Sequence, residues 1–256
     1  MRFECIAQKL NYSVLTIPAM EEIYMDDIKG RPAACAACDA DGENAACKQK
    51  DGRAGKGCPT LTQREVLERA NKEYEHRDVH EFARQASIQE AECYANRRQE
   101  PYVLQPSKPR IVEICEFAGK MNYRRLGLAF CYGLRKEAAL VEKILNSHGF
   151  EVVSVICKAG RTSKSKIGVK DEEKVRIGTD ESMCNPIYQA RLLNHEKVDF
   201  NVLLGLCVGH DSLFFKYAEA PTTVLAVKDR VMGHNPLAAI YVSNTYYQKL
   251  QHPGIC

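Results

Sequence analysis

RLGLAFCYGLRKEAALVEKILNSHGFEVVSVICKAG, residues 125–160, reads as strand, helix, strand. Leu126 to Phe130 is a short apolar run. Leu134, Ala138, Val141 and Leu145 then recur at helical spacing, and Gly149 is a residue that stops a helix by turning left-handed. FEVVSVICKAG (150–160) is a second apolar run. Further on, FNVLLGLCVG (200–209) and TTVLAVKD (222–229) repeat the strand texture, with CNPIYQARLLNHE (184–196) and HDSLFFKYAE (210–219) as helices between them. Apolar runs of this kind, continuous and not alternating, come from strands buried on both faces, so the segment predicts a parallel sheet covered by helices. The expected fold class is α/β, a four-stranded Rossmann-like sheet over residues 123–256.

Upstream the texture differs. From Gly30 to Thr60 the chain holds no Val, Ile, Leu, Met, Phe, Tyr or Trp but four cysteines, Cys35, Cys38, Cys47 and Cys58. No apolar burial can offset the ordering entropy of such a stretch, so a cross-link holds it or it stays unfolded. After Cys58-Pro59, Thr62 and Glu65 form a capping-box pattern before Val66, Leu67, Ala70 and Tyr74, and Asp78 with Glu81 marks a second helix start. Pro109 suits the first turn of a third helix through Ile111 and Phe117. The organisation expected is an N-terminal extension (1–30), a cysteine-rich metal loop with an N-terminal helical segment (31–122), and the α/β domain (123–256).

Twelve cysteines in 256 residues narrow the chemistry. Nothing near the start resembles a signal peptide, and no stretch approaches the 18 apolar residues of a membrane span, so a cytoplasmic protein is expected. In a reducing compartment, cysteines at this density read as metal ligands or redox groups and not as a disulfide scaffold. A formal charge of +3 gives no reason to expect nucleic acid or a membrane as partner. The expected partner is a small-molecule substrate or a redox protein.

The first cysteine group has the spacing C-x2-C-x8-C-x10-C and ends in Cys-Pro, as iron–sulfur ligand sets do. The second group, Cys131, Cys157, Cys184 and Cys207, follows from topology. Three lie where predicted strands end, and Cys184 precedes Asn185-Pro186, a cap and first helical residue. In open α/β folds that carboxyl edge is where ligands bind. Two metal sites are thus expected, with iron–sulfur clusters favoured and zinc as the alternative. His210, His234 and Lys228 stand beside Cys207 as candidate catalytic residues for redox work on a small substrate. A zinc-stabilised binding module without catalysis is a second reading. A third takes GLCVG (205–209) as a cysteine nucleophile turn, like that of class I glutamine amidotransferases, with His234 as base and Asp229 orienting it. GRTSKSK (160–166) lacks phosphate-loop spacing and reads as a solvated loop. Cys93 and Cys115 fall inside helices as core residues.

From Arg124 to Tyr241, the runs LGLAFCYGLRKEA, VVSVICKAG, MCNPIYQA, GLCVGHDSLFFKYAEAP and AVKDRVMGHNPLAA resemble the domain of unknown function 1847, a cysteine-rich family associated with metal binding. Cys35, Cys38, Cys47 and Cys58-Pro59 look like that family's leading cysteine cluster. The resemblance implies metal binding and supplies no reaction.

Overall fold

The computed structural model describes residues 32–40, 42–252 and 254; the expected N-terminal extension, 1–30, lies outside them. The chain divides into two compact units, 1–83 and 84–256.

In the first unit a short 3-10 turn, Cys35–Ala37, precedes a helical turn, Pro59–Thr62, and helix α1, Arg64–Glu73. The expected capping box at Thr62 does not form. Pro59 starts a turn directly behind Cys58, and the Thr62 hydroxyl donates to Cys58 O at 3.1 Å, so Gln63 becomes the residue before α1, with no side-chain cap. Helix α2, Arg77–Glu92, carries Asp78 in its first turn as expected.

The second unit is built on four parallel strands in the order β2-β1-β3-β4: β1 Arg125–Phe130, β2 Glu151–Ile156, β3 Phe200–Leu204 and β4 Thr222–Ala226. Every pairing is parallel, so every strand ends at the same edge. β3 is buried at all five positions, as a central strand covered on both faces must be. Helix α5, Pro186–His195, and helix α6, His210–Tyr217, close one face through Ala190, Leu193 and Phe214, which pack with Ala129, Val155 and Leu203. Gly127 is small for that reason: a Cβ there would meet Leu193 Cδ1 at 2.9 Å. Helix α3, Arg110–Lys120, serves the opposite face. Phe117 lies 5.7 Å from the Phe200 ring, and Arg110 Nε donates to Val224 O at 2.7 Å. Helix α4, Arg135–Ser147, buries Ala138, Val141 and Leu145 as the spacing predicted, and a short helix α7, Leu237–Tyr241, follows β4. No helix among the described residues is long and apolar enough to cross a membrane.

Cys93 and Cys115 are buried, as expected of core cysteines. Beside them Glu116 Oε2 accepts from Lys108 Nζ and Gln89 Nε2, both at 2.7 Å, and these bonds hold its carboxyl below the usual range. A carboxylate with a lowered folded pKa stabilises the fold above the unfolded value, about 4.3, and loses that contribution as pH falls through the folded value. With both side chains partly solvated, Glu116→Gln is expected to cost about 0.5–1 kcal/mol at neutral pH. Urea melts should show the gap from wild type closing below about pH 4; a gap that widened in acid would refute the assignment.

Candidate metal centre

Each thiol of the second cysteine group is placed by the end of a regular element. Cys131 directly follows β1, and its N–H still donates to Leu204 O at 3.0 Å. Cys157 directly follows β2, and its N–H donates to Phe130 O at 2.9 Å. The long loop between β2 and α5 is pinned shut at its base by Asn185 N on Cys157 O at 2.8 Å and Met183 N on Thr162 O at 2.7 Å, which brings Cys184 back beside Cys157. Asn185 Oδ1 caps α5 by accepting from Tyr188 N, with Pro186 in the first turn. After β3 the chain turns at Gly205, and the Cys207 carbonyl accepts from His210 N and Asp211 N at the start of α6. Cys131, Cys157, Cys184 and Cys207 thus line one recess with His210, Gln189 and Leu206.

Within the recess the sulfurs are ordered. The Cys157 thiol hydrogen-bonds Cys131 and Cys184 on either side, which pushes its own pKa up. Cys131 is pulled down first by that bond, then by the Gly133 amide and Lys228. Cys184 is pulled down by Cys157 and by His210, whose own pKa rises in return. Cys207 turns elsewhere: its Sγ stands 3.3 Å from Arg230 Nη2. Lys158 Nζ, which also favours the Cys184 thiolate, donates to Ser182 O. Among the described residues no three His, Cys, Asp or Glu side chains stand at metal-ligating distance; the thiols are gathered but turned toward one another and toward Arg230.

The donor set nonetheless suits a soft metal. Buried thiolates are costly unless paired or coordinated, and cysteine sulfur with imidazole is the chemistry of iron–sulfur and zinc sites. Among the described residues four buried side-chain polar atoms are without a hydrogen-bond partner, and two of them belong to residues of the recess, His210 Nδ1 and Gln189 Oε1. Of the other candidates, Lys228 reaches the recess, with its Nζ 3.7 Å from where a Cβ on Gly133 would stand. His234 Nδ1 accepts from Asp229 N at 3.2 Å within a turn, and Asp229 Oδ1 accepts from Val231 N and Met232 N.

Arg230 and Gln189 were missed by the reading of strand ends. The rule that picked out Cys131, Cys157 and Cys207 applies equally to β4, whose end leads into Lys228-Asp229-Arg230. Gln189 had a fainter signal, a polar residue on the inward stripe of α5 with Ala190 and Leu193.

In the first unit, the turn Cys38 N to Cys35 O (3.2 Å), the contact of Ala34 N with Gly57 O (3.4 Å) and the turn Cys58 N to Gly55 O (3.2 Å) draw Cys35, Cys38 and Cys58 to one side of the loop. Gly55 lies against them, since a Cβ on it would stand 3.0 Å from Cys38 Sγ. Cys47 sits in a neighbouring turn closed by the bridge of Ala45 with Arg53. All four are free thiols, and Cys35, Cys38 and Cys47 are exposed.

Comparison with known proteins places this arrangement in a lineage. The family model described as Protein of unknown function (DUF1847) matches residues 58–225, from the last cysteine of the loop into β4, and so includes all four thiols of the recess. An uncharacterised protein of Methanocaldococcus jannaschii is 40% identical over 203 residues, 79% of this chain and 94% of its own length. No solved structure matches. A family match that takes in nearly the whole sheet and all four thiols of the recess, together with a relative aligned over most of both chains, shows that this protein belongs to the DUF1847 family.

Proposed function

We propose that the protein is a thiolate metal protein of the cytoplasm, with an iron–sulfur centre at Cys131, Cys157, Cys184 and Cys207 and a second metal at Cys35, Cys38, Cys47 and Cys58. One observation carries the reading: four thiols from four separate turns line a single recess at the carboxyl edge of a parallel sheet. A cluster there would supply one-electron chemistry. The protein's own part is to hold the thiolates: Gln189 Nε2 ties the ends of β1 and β2 by donating to Phe130 O and Val155 O, and Lys158 and Lys228 balance their charge. Electron transfer, or redox work on a small substrate beside His210, follows from that chemistry.

The nucleophile reading has less behind it. In a nucleophile elbow the reactive residue itself occupies a strained turn. Here the left-handed residues are Gly205 and Gly209 on either side of Cys207, five residues separate β3 from α6, and the partner of the thiol is a guanidinium and not a histidine. Zinc remains the alternative metal, in which case the protein is a stabilised binding module.

Anaerobic purification followed by iron, sulfide and zinc analysis tests the proposal. Iron with acid-labile sulfide is expected, and Cys157→Ser should lower metal content at the recess at least about fivefold, since each thiolate ligand is integral to such a site. Stoichiometric zinc without sulfide would move the assignment to the alternative, and a metal-free protein would end it.

A further inference from the structure

Lys228, Asp229 and Arg230 follow β4, and Asp229 is committed to the chain itself. Its Oδ1 accepts from Val231 N and Met232 N, its N–H donates to His234 Nδ1 at 3.2 Å, and its carbonyl accepts from His234 N at 2.8 Å. The turn is also tied to the sheet, since Lys228 N donates to Leu206 O at 3.1 Å and Gly205 N to Ala226 O at 2.7 Å. A carboxylate placed between two cations thus fixes the backbone that carries them and neutralises neither. Among the described residues Lys228 and Arg230 form no ion pair with a carboxylate.

Both cations reach the mouth of the thiol recess. Arg230 Nη2 stands 3.3 Å from Cys207 Sγ, which occupies one of the five donors of a guanidinium. Lys228 Nζ lies over two glycines, 3.7 Å from where a Cβ on Gly133 would stand and 3.6 Å from where one on Gly205 would. The Gly133 position is open: beyond its chain neighbours, only Lys228 Nζ and Cys131 Sγ, at 4.0 Å, come near it. Helices α4, α5 and α6 begin at this edge, and their N-terminal amides add positive potential there. The flanks are apolar and exposed, with Tyr132 beside Gly133, Val208 beside Cys207 and Val231 beside Arg230.

We infer that the turn from Lys228 to His234 is an anion clamp, and that the mouth of the recess takes a small organic acid whose oxyanion group, a carboxylate or phosphate ester, seats over Gly133 between Lys228 and Arg230. Its carbon skeleton lies against Tyr132 and Val208. The inference rests on reading the recess as a site that works on a small substrate, and it names the class of that substrate. The planar fork of an arginine binds two oxygens of such a group at once, and the lysine adds a point charge. Asp229 and His234 are positioning residues, which hold the turn without touching the ligand. No backbone movement is needed, because the bonds that pin Gly205 and Lys228 stay in place.

The test uses the full-length protein as purified anaerobically, titrated calorimetrically with benzoate, phenyl phosphate and the uncharged benzamide. At least one of the two anions is expected to bind saturably, one per chain, and at least about tenfold more tightly than benzamide; the tighter one tells carboxylate from phosphate ester. Arg230→Gln should weaken that binding about tenfold, as loss of a two-pronged charge-assisted contact does, and Arg230→Lys should recover only part of it. Gly133→Ala is the sharper variant. Gly133 is not left-handed and the added Cβ would make only ordinary contacts, so the melting temperature should stay within about 2 °C of wild type. The methyl group occupies the seat, however, and should weaken binding at least about tenfold. Iron, sulfide and zinc measured on the same samples separate the clamp from the metal centre. Wild-type metal content with no saturable binding of either anion, benzamide binding as tightly as the anions, or wild-type affinity in Gly133→Ala or Arg230→Gln would overturn the clamp and leave the metal reading standing. Metal-free protein that still bound an anion, and lost it in both variants, would support the clamp and refute the metal centre.

Discussion

Gly205→Ala is expected to lower stability by about 2–5 kcal/mol, the sum of a left-handed penalty of about 1–2 kcal/mol and an overpacking cost of about 1–3 kcal/mol. Gly205 has φ 69°, and a Cβ there would overlap Leu134 Cδ1. Leu134 is buried in the turn that follows Cys131, so the strain falls on the β1 end of the thiol recess as well as on the β3 end. The Gly205 amide remains bonded to Ala226 O at 2.7 Å, which resists relief by movement of the backbone. Denaturant melts of Gly205→Ala, Leu134→Ala and the double variant check the argument. Removing the Leu134 side chain should recover the overpacking part and not the backbone part, so the double variant should be less destabilised than the two single costs added together. Strict additivity would show that the two residues do not collide.

The same two turns show why part of the site could be read from sequence and part could not. A parallel strand that ends in cysteine declares both its element and its edge, because apolar continuity marks the strand and parallel pairing puts all such ends together; Cys131 and Cys157 needed nothing more. Asn185-Pro186 declared the start of α5 through local chemistry, and the structure has the cap. The strand order β2-β1-β3-β4 depends on which strands meet across crossovers, and nothing in the local pattern encodes it. Thr62 illustrates the limit of local signals. Its capping-box spacing with Glu65 is sound, but Pro59 behind Cys58 opens a helical turn first and takes the hydroxyl for Cys58 O. Arg110 is similar. The proline before it marked a helix, yet the bonds from its guanidinium to Val224 O and Thr223 Oγ1 are what tie that helix to the sheet, across more than a hundred residues of chain. Arg230 on Cys207 and Gln189 on two strand ends belong to this second kind, being contacts that exist only once the sheet is assembled.

Chelation of the metal is expected to raise the protease sensitivity of residues 32–60 at least about tenfold while residues 125–226 stay resistant, because bound metal supplies of order 10 kcal/mol to a site that cannot otherwise fold. The described part of this loop buries only Ala45, Gly55 and Gly57, none of which offers a large apolar side chain. Its backbone hydrogen bonds include short-range turns, the bridge of Ala45 with Arg53 and the contact of Ala34 N with Gly57 O, each worth about 1 kcal/mol net. Ordering the backbone costs about 1–2 kcal/mol per residue, so those bonds alone leave the loop unfolded. The sheet has the opposite balance, with Leu126, Leu128, Leu193, Leu203 and Phe214 essentially inaccessible to solvent, and it needs no metal to persist. Cys38→Ser should reproduce the effect of the chelator, since Cys38 shares its turn with Cys35 and lies against Gly55, next to the Cys58 turn. Limited proteolysis with peptide mapping reads both arms. Equal cleavage of the loop with and without metal would mean that something other than a metal holds Cys35, Cys38, Cys47 and Cys58 in place, whereas simultaneous loss of resistance in the sheet would mean that the two units do not fold independently.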